Sequence, residues 1–444
     1  MKIAARILVL ALSLNLLTAA AHAQTIAPDE DAGTKGERYR KVEIPTVEES
    51  VMAFENGDME TAYKNFSQLA PMGDAEAEFY LGFMMDKGLG TTLNPFGAIS
   101  WYRKAAEQDY LPAVTYMGYV FSIGHGVSKD DKEAFKWYTR AARLGSADAQ
   151  NALGTILRDG RGTKKDYNLA AEWFLQSATQ NNARAQSNLA AMYFLGHGVK
   201  ANLPQAVYWY NLAAQQKDVF ALTAMAAMYR AGIGVDKDPA KALAYYKLAA
   251  DQDHVPAELD LAKMYEVGEG DKTKDPSDAA VLYARAAKQG STEAETRLGY
   301  YSENGVGLPQ DIPAAVSWYT KAADVNYIPA MMALGHLYED GKGKALPADL
   351  KKAVNLYKKC ATAGDAAAEM KMGTLYRDGK GVTKSLLNAY EWFALAAEDF
   401  PEGEDKHTAL RYRIEMSNAL TEQQLTQARQ FLSRWKPIPI INQY

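Results

Sequence analysis

Small and apolar residues recur along this chain at helical spacing, in blocks that return about every 36 positions. One block places an alanine (Ala77, Ala113, Ala149, Ala185, Ala221, Ala257, Ala294, Ala330, Ala368), a Leu or Met four residues on, and Gly or Ala next. Such spacing marks the buried face of an amphipathic helix, here termed helix A. Glycine inside a helix costs roughly 1 kcal/mol relative to alanine. Its return at Gly82, Gly118, Gly154, Gly299, Gly335 and Gly373 therefore predicts a neighbouring helix that approaches closely. A G-x-G pair follows each helix A, from Gly88/Gly90 to Gly379/Gly381, with first glycines 36, 36, 36, 36, 36, 37, 36 and 38 residues apart. Its first glycine suits the left-handed residue that closes a helix.

The second block opens on Asn94, Asp130, Asp166, Asn202, Asp238, Asp275, Asp311, Asp349 and Ser385, all residue types that accept the first free N–H groups of a helix. Helix B then carries a small and aromatic face, for example Ala98, Trp101, Tyr102 and Ala105, or Ala315, Trp318 and Tyr319. Nine such helix pairs predict an all-α chain, an α/α superhelical solenoid in which each pair buries its apolar face on its neighbours. Val47 to Leu69 reads as a degenerate first repeat. After Phe400 the pattern stops. His407–Leu420 and a helix opened by the capping-box pattern at Thr421–Gln424 read as a C-terminal cap. The expected organisation is a solenoid over 46–400, a helical cap over 401–436 and an extended tail over 437–444.

The N-terminal pattern differs. Lys2 and Arg6 precede an apolar run from Ile7 to Leu17, and Ala21-His22-Ala23 forms an A-x-A site. Residues 1–23 are therefore expected to be a secretory signal peptide, followed by a polar flexible leader over 24–45. No cysteine follows to carry a lipid, and no other long apolar stretch occurs. The expected mature chain is exported, periplasmic or secreted, without membrane insertion. Removal of Lys2 and Arg6, with no acid, takes the net charge from −5 to −7. Acids and bases interleave without a basic stripe, so nucleic acid is not an expected partner. The single cysteine, Cys360, excludes an intramolecular disulfide framework.

The helix pairs resemble the Sel-one-like repeat (SLR) family, a branch of the tetratricopeptide-like repeats. The match is carried by segments such as Ala257–Gly270 and Ala315–Ala323, and extends over about Gly57 to Phe400. The resemblance implies the solenoid fold. It also implies an adaptor, signalling or host-contact role in a bacterial envelope, through a concave face lined by helix A.

Candidate chemistry is sparse. His125 and His197 lie in G-H-G turns and read as exposed turn residues. Asp271, Asp275 and Asp278 lack the spacing of a calcium loop. Ser433-x-x-Lys436 lacks the companion motifs of penicillin-binding enzymes. No catalytic, cofactor or metal site is expected, and a glycan-associated component or a weak cell-wall or β-lactam hydrolase is the alternative reading. The residues two before and two after each Leu/Met share a helix-A face. In that register both ends of the chain carry aromatic or sulfur side chains, and the candidate partner-binding residues are Phe79, Phe83, Thr115 and Tyr119 at one end and Tyr300 and His336 at the other. The expectation is a monomer that holds a peptide or helix of a protein partner in this groove, anchored on Phe79, Phe83 and Tyr119. The competing expectation is that these aromatics pack on adjacent helices.

Overall fold

The computed structural model describes residues 44–270 and 274–438. The expected signal peptide, most of the leader, Asp271 and the end of the tail lie outside the described residues. Among the described residues the chain is helical throughout, with 22 α-helices from Val47–Glu55 to Glu422–Arg434. They form helix pairs that contact in sequence order, within two compact units, residues 1–218 and 219–444. Each unit is a run of A and B helices.

Local chemistry explains why the elements stop and start where they do. All nine residues read as helix-B N-caps accept a backbone N–H of their own first turn, as Asn202 does from Gln205 at 3.1 Å. Most A helices end on the expected left-handed glycine. Gly341, at the longest step, departs from it with ψ 174°, where the chain loops out over 341–349 before the next helix B.

Packing gives two glycine positions their meaning. A β-carbon built on Gly299 would lie 2.5 Å from the Tyr319 ring of the same repeat's helix B. The close neighbour foreseen for this position is thus an aromatic ring, and Tyr319 is 2% exposed. The second glycine of the G-x-G pair touches the preceding repeat at Gly90, Gly126, Gly162, Gly198, Gly270, Gly307 and Gly381, though not at Gly343. At Gly307 a β-carbon would meet the carbonyl oxygen of Pro276, the first residue of the preceding helix B, at 2.2 Å. The loop is therefore a joint between repeats as well as a helix stop.

Both ends are closed. Helix α1 (Val47–Glu55) and helix α2 (Met59–Leu69) form the degenerate repeat, and Phe54 and Phe66 bury against Tyr80. At the other end, the helix Glu404–Asn418 takes the place of a tenth helix A. Ala409 stands where the recurrent alanine would, and Ala409 and Met416 are buried. At the positions that would face a helix B it carries Arg413 and Ile414, and Ile414 is 56% exposed. Without Leu and Gly there, no further helix B is received, and the stack ends on a largely polar surface. The helix Glu422–Arg434 folds back instead, with Trp435 edge-on to Trp392 at 5.4 Å and the Ile438 N–H bonded to the Thr362 carbonyl at 2.8 Å.

Candidate interaction face

The candidate anchors of the first unit lie on two of its A helices, Ala75–Lys87 and Leu111–Ile123. The structure corrects the expected role of Phe79 and Phe83. They are only 7% and 6% exposed, closed over by the degenerate repeat. Phe54 lies edge-on to Phe83 at 6.0 Å, and Phe79 packs between Tyr102 at 5.6 Å and Tyr110 at 5.5 Å. These rings fill the end of the core, so a partner cannot reach them as anchors. Thr115 is half-buried and engaged, donating to the Leu111 carbonyl at 2.9 Å and paired with Ser146 at 3.1 Å.

Tyr119 differs from all three. It is 44% exposed, and Ile123, one turn further along the same face, is 51% exposed. The pair rests on a fixed base. The Tyr116 ring lies 5.5 Å from that of Tyr119, and its hydroxyl donates to Asp86 at 2.7 Å. Lys87 reaches the same carboxylate at 2.8 Å and His125 at 2.5 Å. Burial alone would raise the Asp86 carboxyl. The bonds from Lys87, Tyr116 and His125 reverse that and hold it below the ordinary range. His125 is thus a pinned member of this cluster rather than a free turn residue. His197, in the equivalent turn two repeats on, instead stacks on Tyr167 at 4.8 Å.

In the second unit, Tyr300 is 45% exposed, with the Arg297 guanidinium 5.5 Å over its ring. Arg297 pairs with Glu266, which also accepts the Tyr301 hydroxyl at 2.7 Å. His336 lies at the surface, 5.3 Å from the Tyr357 ring, and desolvation followed by the charge of Lys371 pushes its imidazole below the usual value. Glu339 accepts from Tyr357 and Lys371, both at 2.8 Å, and from Lys380 at 2.9 Å. Burial opposes its ionisation, but these donors outweigh it and bring the carboxyl down to about 2.

These contacts obey a rule that the sequence analysis missed. At five joints the residue nine after the recurrent alanine meets the residue three after the alanine of the next repeat. The pairs are Asp86–Tyr116, Arg158–Asn188, Glu266–Arg297 and Glu339–Lys371, and at the cap Arg377 over the Tyr412 ring at 4.8 Å. The signal was present as complementary residue types at offsets of 30 to 35 residues, the same two places in each repeat.

Two groups with reactive side chains are each buried or engaged. Cys360 is buried, and burial pushes its thiol up to about 12. Ser433 donates to the Gln430 carbonyl at 2.9 Å. Among the described residues, no group of three His, Cys, Asp or Glu is placed to hold a metal ion, and no helix is long and apolar enough to cross a membrane.

The Sel1 repeat model matches this chain nine times, over residues 75–110, 111–146, 147–182, 183–218, 219–254, 255–291, 292–327, 328–365 and 366–399. Among solved structures, the fold is similar to a protective antigen present in uropathogenic Escherichia coli strains that displays an SLR fold. The TM-score is 0.57 and the identity 27%, covering 84% of this chain and 94% of that one. It is also similar to a Sel1 repeat protein from Oxalobacter formigenes, with TM-score 0.53 and 29% identity over 65% of this chain and 89% of that one. Comparison with curated proteins gives no match. Sel1 repeat proteins generally serve as protein-interaction scaffolds and are generally non-catalytic.

Proposed function

We propose that this chain, which belongs to the Sel1 repeat family, is an exported, non-catalytic scaffold that holds a protein partner on the helix-A face of its first unit, around Tyr119. The observation that carries this reading is the exposed Tyr119–Ile123 pair on a base fixed by the buried Asp86 carboxylate. Tyrosine supplies a large contact area at low entropic cost, and a rigid base lowers the cost of ordering it on binding. The occupant is a peptide or helix that presents an apolar side chain to the pair. Export rests on the signal-peptide pattern of residues 1–23, and a protective antigen among the similar structures supports an envelope or host-contact setting.

The test is partner capture by the mature protein and its Tyr119→Ala and Ile123→Ser variants, with circular dichroism and thermal midpoints as the folding control. Loss of a desolvated aromatic anchor costs about 2 kcal/mol or more, roughly thirtyfold in affinity. A folded Tyr119→Ala variant that captures the partner as the parent does would remove this face from consideration. Recovery of the chain without its first 23 residues, and outside the cytoplasm, tests export.

A further inference from the structure

One residue after the recurrent alanine, helix A holds a buried polar side chain in six repeats: Glu78, Gln150, Gln186, Glu258, Glu295 and Glu369. Five of these are met by their own repeat's helix B. Gln108 reaches Glu78 at 2.9 Å, Gln180 reaches Gln150 at 2.8 Å, and Gln216 reaches Gln186 at 2.8 Å. Glu258 has Gln289 at 3.1 Å and Arg285 at 3.0 Å, and Glu295 has Lys321 at 2.6 Å. The donors come from two fixed places, ten and fourteen residues after the helix-B N-cap.

In the last repeat both places are changed. Counted from Ser385, they hold Leu395 and Asp399. Where the other buried glutamates have a cation at the first place (Lys104, Arg285, Lys321), Glu369 has a hydrocarbon; where Gln108, Gln180, Gln216 and Gln289 offer an amide at the second, it has a carboxylate. Glu369 is completely buried, and neither of its oxygens has a hydrogen-bond partner. The charged groups acting on it are all acids: Asp399, exposed at the last position of the helix Leu386–Asp399, Asp365 at the start of its own helix, and Glu398. The neighbouring helices bring their bases only to the surface. Lys359 and His407 are exposed, and Lys406 is held by Glu402 at 2.7 Å.

We infer that the buried, unpartnered Glu369 carboxyl is kept in its protonated form by the fold, and that it is a latch that holds the last repeat and its cap at low pH and releases them as the pH rises. A carboxylate buried without a donor is costly, nearby acids add to that cost, and protonation removes the charge that causes it. Burial first, then the Asp399 charge, pushes the Glu369 carboxyl up to about 8. In the unfolded chain it titrates in the ordinary range, near 4.3. Between these values the folded state holds the extra proton. Stability from this group is therefore complete at acid pH and lost as the pH rises towards about 8. The loss falls on the cap because Met370, next to Glu369, packs against Ala396, Ala397 and the cap residue Ala409. Asp399 also ends the helix Leu386–Asp399, immediately before the turn into the cap.

Hydrogen exchange of the full chain at pH 6 and pH 9, corrected for intrinsic exchange rates, tests this. In the parent, protection over 389–416 is expected to fall about tenfold or more, while repeat seven, where Lys321 holds Glu295, keeps its protection. Glu369→Gln reproduces the residue found at Gln150 and Gln186. Asp399→Gln restores the amide donor of Gln108, Gln180, Gln216 and Gln289. Both are expected to abolish the pH-dependent loss, and if one fails to fold the other decides. No loss in the parent, an equal loss in every repeat, or an unchanged loss in a folded variant would overturn the latch.

Discussion

Gly307→Ala and Gly343→Ala, both in the second unit, separate what a glycine does for the backbone from what it does for the joint between repeats. Their φ values are 64° and 59°, so alanine bears the same left-handed strain at each. That strain is roughly 1–2 kcal/mol. Their surroundings differ. Around Gly343 a β-carbon meets nothing within 4 Å, whereas at Gly307 it would stand 2.2 Å from the Pro276 carbonyl oxygen and 2.5 Å from the carbonyl carbon. Relief to ordinary contact near 3.4 Å needs a shift of more than about 1 Å between the loop and the preceding helix B, and overpacking of this kind typically costs ~1–3 kcal/mol. Gly307→Ala should therefore lose about 2 kcal/mol more than Gly343→Ala. Urea unfolding followed by circular dichroism reads the midpoints. Exchange over 276–307 reports whether the loss lies at that joint, which matters because repeats need not unfold together. Equal losses, within about 0.5 kcal/mol, would show that the joint yields freely and that only the backbone conformation matters.

Other outcomes follow from the same contacts. Asn202→Ala should cost about 1 kcal/mol by removing the acceptor of the Gln205 N–H, read as a lowered urea midpoint of the first unit. Phe83→Ala should behave as a core truncation, costing ~3–5 kcal/mol, in contrast to the near-neutral effect expected of Tyr119→Ala on folding. Glu339, whose carboxyl is brought down to about 2, contributes stability that is complete above the ordinary carboxylate range and lost as the pH falls towards about 2. Glu339→Gln should therefore reduce the acid-side slope of the second unit's midpoint between pH 5 and pH 2.5.

The parts of this fold legible in the sequence are those set by local chemistry. Asp130 or Ser385 can cap a helix without knowledge of the rest of the molecule, and the spacing of G-x-G pairs alone defines the repeat. Gly299 was legible only in part. Its smallness signalled a close neighbour, but the neighbour's identity depended on how Tyr319 crosses from helix B. The fate of Phe79 and Phe83 was not legible, because it depends on Phe54 in a repeat too degenerate for its packing to be read from spacing. The Asp86 cluster escaped for a related reason. Its members lie 30 and 39 residues apart, in different repeats, and single-repeat alignment places Tyr116 and His125 in unrelated columns. Leu395 and Asp399 were visible as residues, yet their meaning appears only once the buried glutamate they fail to satisfy is located.

The measurement closest to the central proposal is site-specific photocrosslinking from position 119 in the native host, with position 208 as the control. Tyr208 is 53% exposed in the same unit but lies on helix B, away from the helix-A face. The account predicts a discrete protein adduct from position 119, none from position 208, and loss of the adduct when Ile123→Ser is added. Adducts of equal yield from both positions, or none from 119 while the exported protein is folded and abundant, would contradict it.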